Sequence, residues 1–223
     1  MFHFNYFKQA CSSVLFIALF LGLCTQISAQ EVVLDLPRMT QYLDGVQTTQ
    51  DISKRSDITN VAVKDPANVY YFTSEIKFEN WAQTVSNGIT AINRIKALNN
   101  INSYAQSHGY LELSDDAALP EDMRQYMESQ APGISGPSAE SLLYCKYFDD
   151  PNFSGASKFC PGNGWWTLGS FRNRAESASG TGAGIIIFCS KRWFGGKKMV
   201  IFMYGYFSVR DFGSMNNDIE SHF

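Results

Sequence analysis

FDDPNFSG, Phe148 to Gly155, returns 41 residues later as CSKRWFGG, Cys189 to Gly196. At that offset Tyr147 falls on Phe188, Phe153 on Phe194 and Gly155 on Gly196, and the apolar Cys145 and Cys160 fall on Ile186 and Ile201. A second match follows at an offset of 44, FRNRAES (Phe171 to Ser177) on MNNDIES (Met215 to Ser221), so the second unit carries a slightly longer loop. Self-similarity of this kind marks a repeated supersecondary unit.

Each unit has a physical reading. Apolar residues alternate in KYF and KFC, then in IIIF and MVIF, as half-buried strands require, and a glycine ends the turn that splits each pair. Glycine takes a positive φ there that a Cβ would resist. Phe153 and Phe194 cover the bend. Ser177 and Ser221 close the two units and are placed to bond back to the bend, where an unpaired buried group costs roughly 1–3 kcal/mol. The expectation is a Greek-key unit with a pinned hairpin, made twice.

These residues resemble the βγ-crystallin family, whose units carry an aromatic, a second aromatic two residues before a glycine, and later a serine behind an Asn/Asp-rich stretch. Phe148, Phe153, Gly155 and Ser177 match in the first unit. Phe194, Gly196 and Ser221 match in the second, where Cys189 stands in place of the first aromatic with Phe188 beside it. The resemblance spans about residues 144 to 223 and implies an all-β double Greek-key sandwich. Many members of the family bind calcium through Asn/Asp, Asn/Asp, two variable residues, Ser/Thr and Ser, with two sites between the paired units. The corresponding stretches here are Arg172 to Ser177 and Asn216 to Ser221, so the metal residues implied are Asn173, Glu176, Asn217 and Glu220. In both stretches glutamate replaces the ligating Ser/Thr, a longer donor for an ion that wants six to eight hard oxygens. Asn217 marks the better site, while Arg172 and Arg174 crowd the other.

The start of the chain reads differently. Lys8 precedes the apolar run VLFIALFLGL, and Ile27-Ser28-Ala29 supplies small residues for cleavage, so residues 1–29 are expected to be a signal peptide. The run is short against the ~20 residues of a membrane span, and Leu23 before Cys24 disfavours lipidation. Export leaves Cys145, Cys160 and Cys189 in an oxidising compartment. In the repeat register Cys145 and Cys160 lie on adjoining strands facing the core, which makes a disulfide between them plausible; three buried thiols acting as small hydrophobes is the competing reading.

Residues 30–113 read as a small α+β region. VAVKDPANVYYF alternates as two strands around Asp65-Pro66, EVVLDL is another strand, and Phe78, Trp81, Val85, Ile89, Ile92 and Ile95 give one long amphipathic helix from about Glu75 to Leu98, interrupted at Asn99-Asn100. Residues 114–142 hold six acids against Arg124, with three prolines and two glycines, and are expected to be a linker with a short helix after Pro120. Residues 143–223 hold nine Lys/Arg against six Asp/Glu, an opposition that lets the linker lie on the domain. The fold class expected is therefore α+β overall, a small α+β region with one long helix followed by a βγ-crystallin-like double Greek key.

Catalytic signatures are missing. G-x-S-x-G and H-E-x-x-H do not occur, the glycine-rich SGTGAGIII (Ser179 to Ile187) precedes a strand and lacks the phosphate-loop lysine, and it reads as a flexible connection between the units. No catalytic residue is expected and the basic patch that nucleic acid needs is absent. What is left is a secreted or periplasmic structural or binding protein with calcium as its one implied cofactor, a protein or glycan as partner, and no membrane span once the signal is removed. Trp165, Trp166 and Trp193 are candidates for the binding surface. An alternative function is a secreted peptidase inhibitor presenting a rigid loop at Pro161-Gly162-Asn163-Gly164, with the Cys145–Cys160 disulfide behind it.

Overall fold

The turn at Asp65-Pro66 forms as its residues require. The Asp65 carboxylate accepts the Ala67 N–H at 2.9 Å, and the strands on either side, β4 (Asn60–Asp65) and β5 (Asn68–Phe72), pair antiparallel. The computed structural model describes residues 32–52, 55–132, 144–162, 164–202 and 204–223. The expected signal peptide lies outside the described residues, as do residues 133–142 of the acidic stretch, Leu143 and Asn163. Upstream, β1 (Val32–Asp35) is the EVVLDL strand, and β2 (Thr40–Leu43) and β3 (Val46–Thr48) form a hairpin. Its two turn residues, Asp44 and Gly45, both have positive φ, the primed turn that suits strand twist.

The single long helix is two. α1 (Glu75–Ala82) is capped by Ser74, and α2 (Gly88–Ser107) starts after Asn87 in the left-handed region, while Asn99 and Asn100 pass through α2 without breaking it. Gly88 explains the break: a Cβ there would lie 1.6 Å from the Ala82 carbonyl oxygen, so only glycine lets the second helix start against the end of the first. The break resets the phase. Ala91, Ile92, Ile95, Leu98, Ile101 and Ala105 are buried, and Ile89, in phase only with an unbroken helix, is exposed. α3 (Glu121–Gln130) begins after Pro120 as expected and buries Met123 and Met127.

The repeated part supplies β6 (Tyr144–Asp150), β7 (Ser154–Pro161) and β8 (Ser177–Ala183) from the first unit. The second supplies β9 (Ile186–Cys189), β10 (Lys198–Ile201), β11 (Tyr204–Asp211) and β12 (Ser221–His222). SGTGAG is not a flexible connection, because most of it is β8. Gly180 is needed within that strand: a Cβ would meet the Tyr144 carbonyl oxygen at 2.1 Å and the Phe207 ring at 2.9 Å.

Among the described residues, sheet A runs β1-β11-β8-β6-β7 and sheet B runs β12-β9-β10-β4-β5-β2-β3. The second unit sends one strand to the sheet of the first, and the first reaches the sheet of the second through a single bridging residue. β11 of the second unit pairs with β8 of the first, and Trp165 of the first bridges His222 of the second. The N-terminal strands complete the same two sheets, β1 running parallel to β11 and β4 parallel to β10. Residues Glu31–Phe223 accordingly cluster as one compact unit, and the boundary expected at 114–142 does not divide them into two bodies. The reason is the sheet edge: β10 and β11 each expose a row of backbone donors and acceptors that the N-terminal strands satisfy.

Two cores result. One lies between the sheets around Leu34, Tyr147, Phe188, Phe207 and Phe212; the other lies between sheet B and the helices around Phe72, Phe78, Leu98, Met123 and Trp193. Sheet B is therefore covered on both faces at β9 and β10, while β2 and β3 at its far end hold no buried residue. The double cover is why every residue of β9 and β10 is buried, where half-buried strands were expected.

Candidate functional site

The two bends are near-twins in backbone. Asn152, Phe153 and Gly155 have φ of 58°, 63° and 77°, and Trp193, Phe194 and Gly196 have 54°, 60° and 69°. Ser177 donates its hydroxyl to the Asp150 carbonyl at 2.7 Å and accepts the Phe153 N–H at 3.0 Å. Ser221 does the same with the Lys191 carbonyl at 2.6 Å and the Phe194 N–H at 3.2 Å. Both serines thus pin their bends as their position in the repeat suggested. A Cβ on Gly155 would meet the Asp149 carboxylate at 2.2 Å, and one on Gly196 the Ser190 hydroxyl at 2.4 Å.

The side chains around the bends differ by what covers them. Phe148 packs edge-on to Phe153, 5.9 Å between ring centres, at a bend open to solvent. Trp193 and Phe194 are fully buried beneath α2, and the small Cys189 fits where the first aromatic would be. Ser221→Ala is therefore expected to cost about 1–3 kcal/mol in urea denaturation, since the buried Phe194 N–H and Lys191 carbonyl lose their partner. Ser177→Ala should cost clearly less, because water can reach the outer bend.

The closing loops meet each other across a local two-fold. The Asn173 N–H donates to the Ile219 carbonyl at 3.3 Å and the Asn217 N–H to the Ala175 carbonyl at 3.0 Å. Glu176 N–H reaches the Phe148 carbonyl at 2.9 Å and Glu220 N–H the Cys189 carbonyl at 3.0 Å; Phe212 N–H reaches the Glu176 carbonyl at 3.1 Å and Leu168 N–H the Glu220 carbonyl at 2.7 Å. Each pair is one bond repeated in the other unit.

The side chains break that symmetry. Glu220 is 6 % exposed and accepts the Arg192 N–H at 3.2 Å, with the Arg172 guanidinium at 3.5 Å. Arg172 also holds the Asp115 carboxylate at 3.0 Å, and Asp115 accepts the Thr167 hydroxyl at 3.2 Å. Arg192 lies over the Trp166 ring and donates to the carbonyls of Leu111 and Leu113, and burial pulls its pKa down. The acidic stretch is thus tied to the repeated part at Asp115. The position of Asn173 and Glu220 does not fit calcium: a guanidinium already balances the buried carboxylate. The other position differs. Glu176 and Asn217 meet at the surface, Asn217 Nδ2 donating to Glu176 Oε1 at 2.5 Å, and Arg174 turns away to Asp149. Two side-chain donors are few for calcium, and among the described residues no group of three or more His, Cys, Asp or Glu is placed to hold a metal.

Part of the chain is similar to an archaeal βγ-crystallin. The solved structure, "Crystal structure of a betagamma-crystallin from an Archaea", shares 17 % identity over 37 % of this chain and 96 % of its own, with a TM-score of 0.31. No family model matches the chain, and no curated protein matches it.

Other expected features fall elsewhere. Cys145 and Cys160 are direct cross-strand partners, but they and Cys189 are buried free thiols, so the expected disulfide is not formed. Burial pushes the Cys160 thiol up to about 12 and Cys189 to about 11, which suppresses the thiolate that oxidation needs. Trp166 and Trp193 are core residues, stacked with ring centres 4.1 Å apart, and Trp193 Nε1 donates to the Tyr110 carbonyl at 2.9 Å. They are not a binding surface. Trp165 is half-buried and bonded to the Pro161 carbonyl. Of the loop expected to protrude, Gly162 and Gly164 are buried and Asn163 lies outside the described residues.

The exposed aromatics belong to the outer face of sheet A, which sequence reasoning missed. Phe159 is 57 % exposed and Tyr206 is 53 % exposed. Register places Tyr144, Thr181 and Tyr206 in one row across β6, β8 and β11, and Phe159, Lys146 and Ser179 in the next across β7, β6 and β8. Tyr144 packs on Phe159 at 5.4 Å, and the Lys146 ammonium sits 5.0 Å from the Phe148 ring centre. Strand alternation alone was the signal: each of these residues is opposite in parity to a core residue beside it.

Proposed function

We propose that the protein is a secreted, non-catalytic binding module built on a βγ-crystallin-type double Greek key, and that it takes a glycan on the outer face of sheet A. The observation that carries this is the placement of exposed Phe159 and Tyr206 on a sheet face that, among the described residues, no helical layer covers. Three strand spacings separate them, ~14 Å at ~4.8 Å each, a flat platform with hydroxyl side chains between aromatic rings. Sugar rings stack their C–H faces on such rings and hydrogen-bond to neighbouring hydroxyl and ammonium groups. Large exposed aromatics on an otherwise polar face are where binding sites concentrate. No helix among the described residues is long and apolar enough to cross a membrane.

Phe159→Ala and Tyr206→Ala are both expected to fold, since both side chains are exposed, and to lose retention on an immobilised polysaccharide panel at least tenfold. Retention unchanged in both variants, or absent in the parent protein across the panel, sinks the reading. Calcium is proposed at the Glu176–Asn217 position alone, as a weak site completed by backbone oxygens and water. Titration should raise the melting temperature in the millimolar range, with the rise gone in Glu176→Gln and intact in Glu220→Gln. A flat curve at millimolar calcium removes the metal.

A further inference from the structure

One end of the sandwich is hollow. A cavity of about 70 Å³ lies where α2 meets β12, and its walls include Arg94, Ile186, Phe207, His222 and Phe223. Two of these are polar groups without matching partners. Arg94 is half-buried, lies 4.9 Å from the Phe223 ring centre, and is paired with no carboxylate among the described residues. His222 is 3 % exposed, and its Nδ1 makes no hydrogen bond among the described residues. Buried polar atoms are nearly always satisfied, and a half-desolvated guanidinium without an anion is unfavourable.

We propose that this cavity binds a small organic carboxylate with a short apolar body. The guanidinium fork of Arg94 matches a carboxylate in shape and charge, and an Nδ1–H of neutral His222 supplies a further donor. Ile186, Phe207 and Phe223 offer an apolar wall to the rest of the molecule. A water needs roughly 10–15 Å³ on the same measure, so the space admits on the order of five non-hydrogen atoms. That is the size of a short-chain fatty acid. A water satisfies His222 but leaves Arg94 without an anion.

Butyrate, with butyramide as its uncharged counterpart, distinguishes these cases when titrated into the purified protein and followed by melting temperature and the NMR signals of the His222 ring. Butyrate should saturate with a millimolar Kd, the range open to so few atoms. Butyramide should bind at least tenfold more weakly. Arg94→Met should weaken butyrate at least tenfold and Arg94→Lys should recover part of the loss; Arg94 is half-exposed on a helix surface, and the unliganded melting temperature reports whether each variant folds. The proposal is overturned if no two- to five-carbon carboxylate gives a saturable response, if butyramide matches butyrate, or if Arg94→Met binds as tightly as the parent. A structure at saturating butyrate with only water in the cavity overturns it as well.

Discussion

Trp193→Ala lowers the unfolding free energy by about 3–5 kcal/mol, the cost of emptying a large, fully buried aromatic site. For a body of this size that corresponds to a melting temperature lower by roughly 10 °C. Trp193 sits where three parts of the chain meet. It stacks on Trp166 at 4.1 Å, bonds to the Tyr110 carbonyl beyond α2, and is itself one of the strained residues of the second bend at φ 54°. Removing the ring leaves a void beneath α2 and takes from the Tyr110 carbonyl one of its two donors, the other being the Leu113 N–H at 3.2 Å. Trp193→Phe keeps much of the packing and loses the N–H, so it should fall between. Trp165→Ala, at a half-buried position, should cost about 2 kcal/mol or less. Guanidinium denaturation of the three variants checks the order, and equal losses in Trp193→Ala and Trp165→Ala would falsify the placement of Trp193 at the centre of the second core.

Acidification destabilises the protein well before its carboxylates protonate. Burial holds the His222 imidazole down at about 3, against an ordinary value near 6.5. Between those values the unfolded chain binds a proton that the folded protein excludes. The contribution of His222 is therefore whole above pH 6.5 and declines as pH falls toward 3, by up to ~1.4 kcal/mol per unit. At pH 4.5 the loss is roughly 2–3 kcal/mol. The ring cannot simply turn to solvent, being enclosed by Tyr147 at 5.6 Å and Phe188 at 6.4 Å. His222→Gln should be less stable at pH 7 yet nearly flat between pH 6.5 and 4.5. A slope of the same size in that variant would assign the acid sensitivity to another group.

The repeat was legible because it depends on backbone requirements that residue type reports directly. A glycine two residues after an aromatic, with a serine to follow, names a positive-φ bend and the hydroxyl that pins it, and both pins are found at 2.6–2.7 Å. The turn at Asp65-Pro66 and the helix start after Pro120 were legible for the same reason: each rests on local chemistry within three or four residues.

Long-range arrangement was not. Ile89 suited one continuous helix until Gly88 met the Ala82 carbonyl, a contact no periodicity reveals. The acidic stretch read as a linker able to lie on the domain, but nothing in the sequence picks Asp115 as the acid 3.0 Å from Arg172, 57 residues away. Cys145 and Cys160 do face each other as the register implied, but their state depends on burial, which keeps both protonated. The tryptophans show the same limit, since side-chain size fits a core as well as a surface and only the helical layer over sheet B chose between them.

By itself the sequence determined two pinned bends, their order along the chain, and the glycines and serines each bend needs, because those are set by dihedral angles and bonds between near neighbours. The tertiary structure decided that the N-terminal strands share the sheets of the repeated part, that one bend is buried and the other wet, and that an arginine stands beside the carboxylate of one closing loop. Those outcomes follow from which sheet edges and faces are left to cover, and that is fixed only once all the strands are in place.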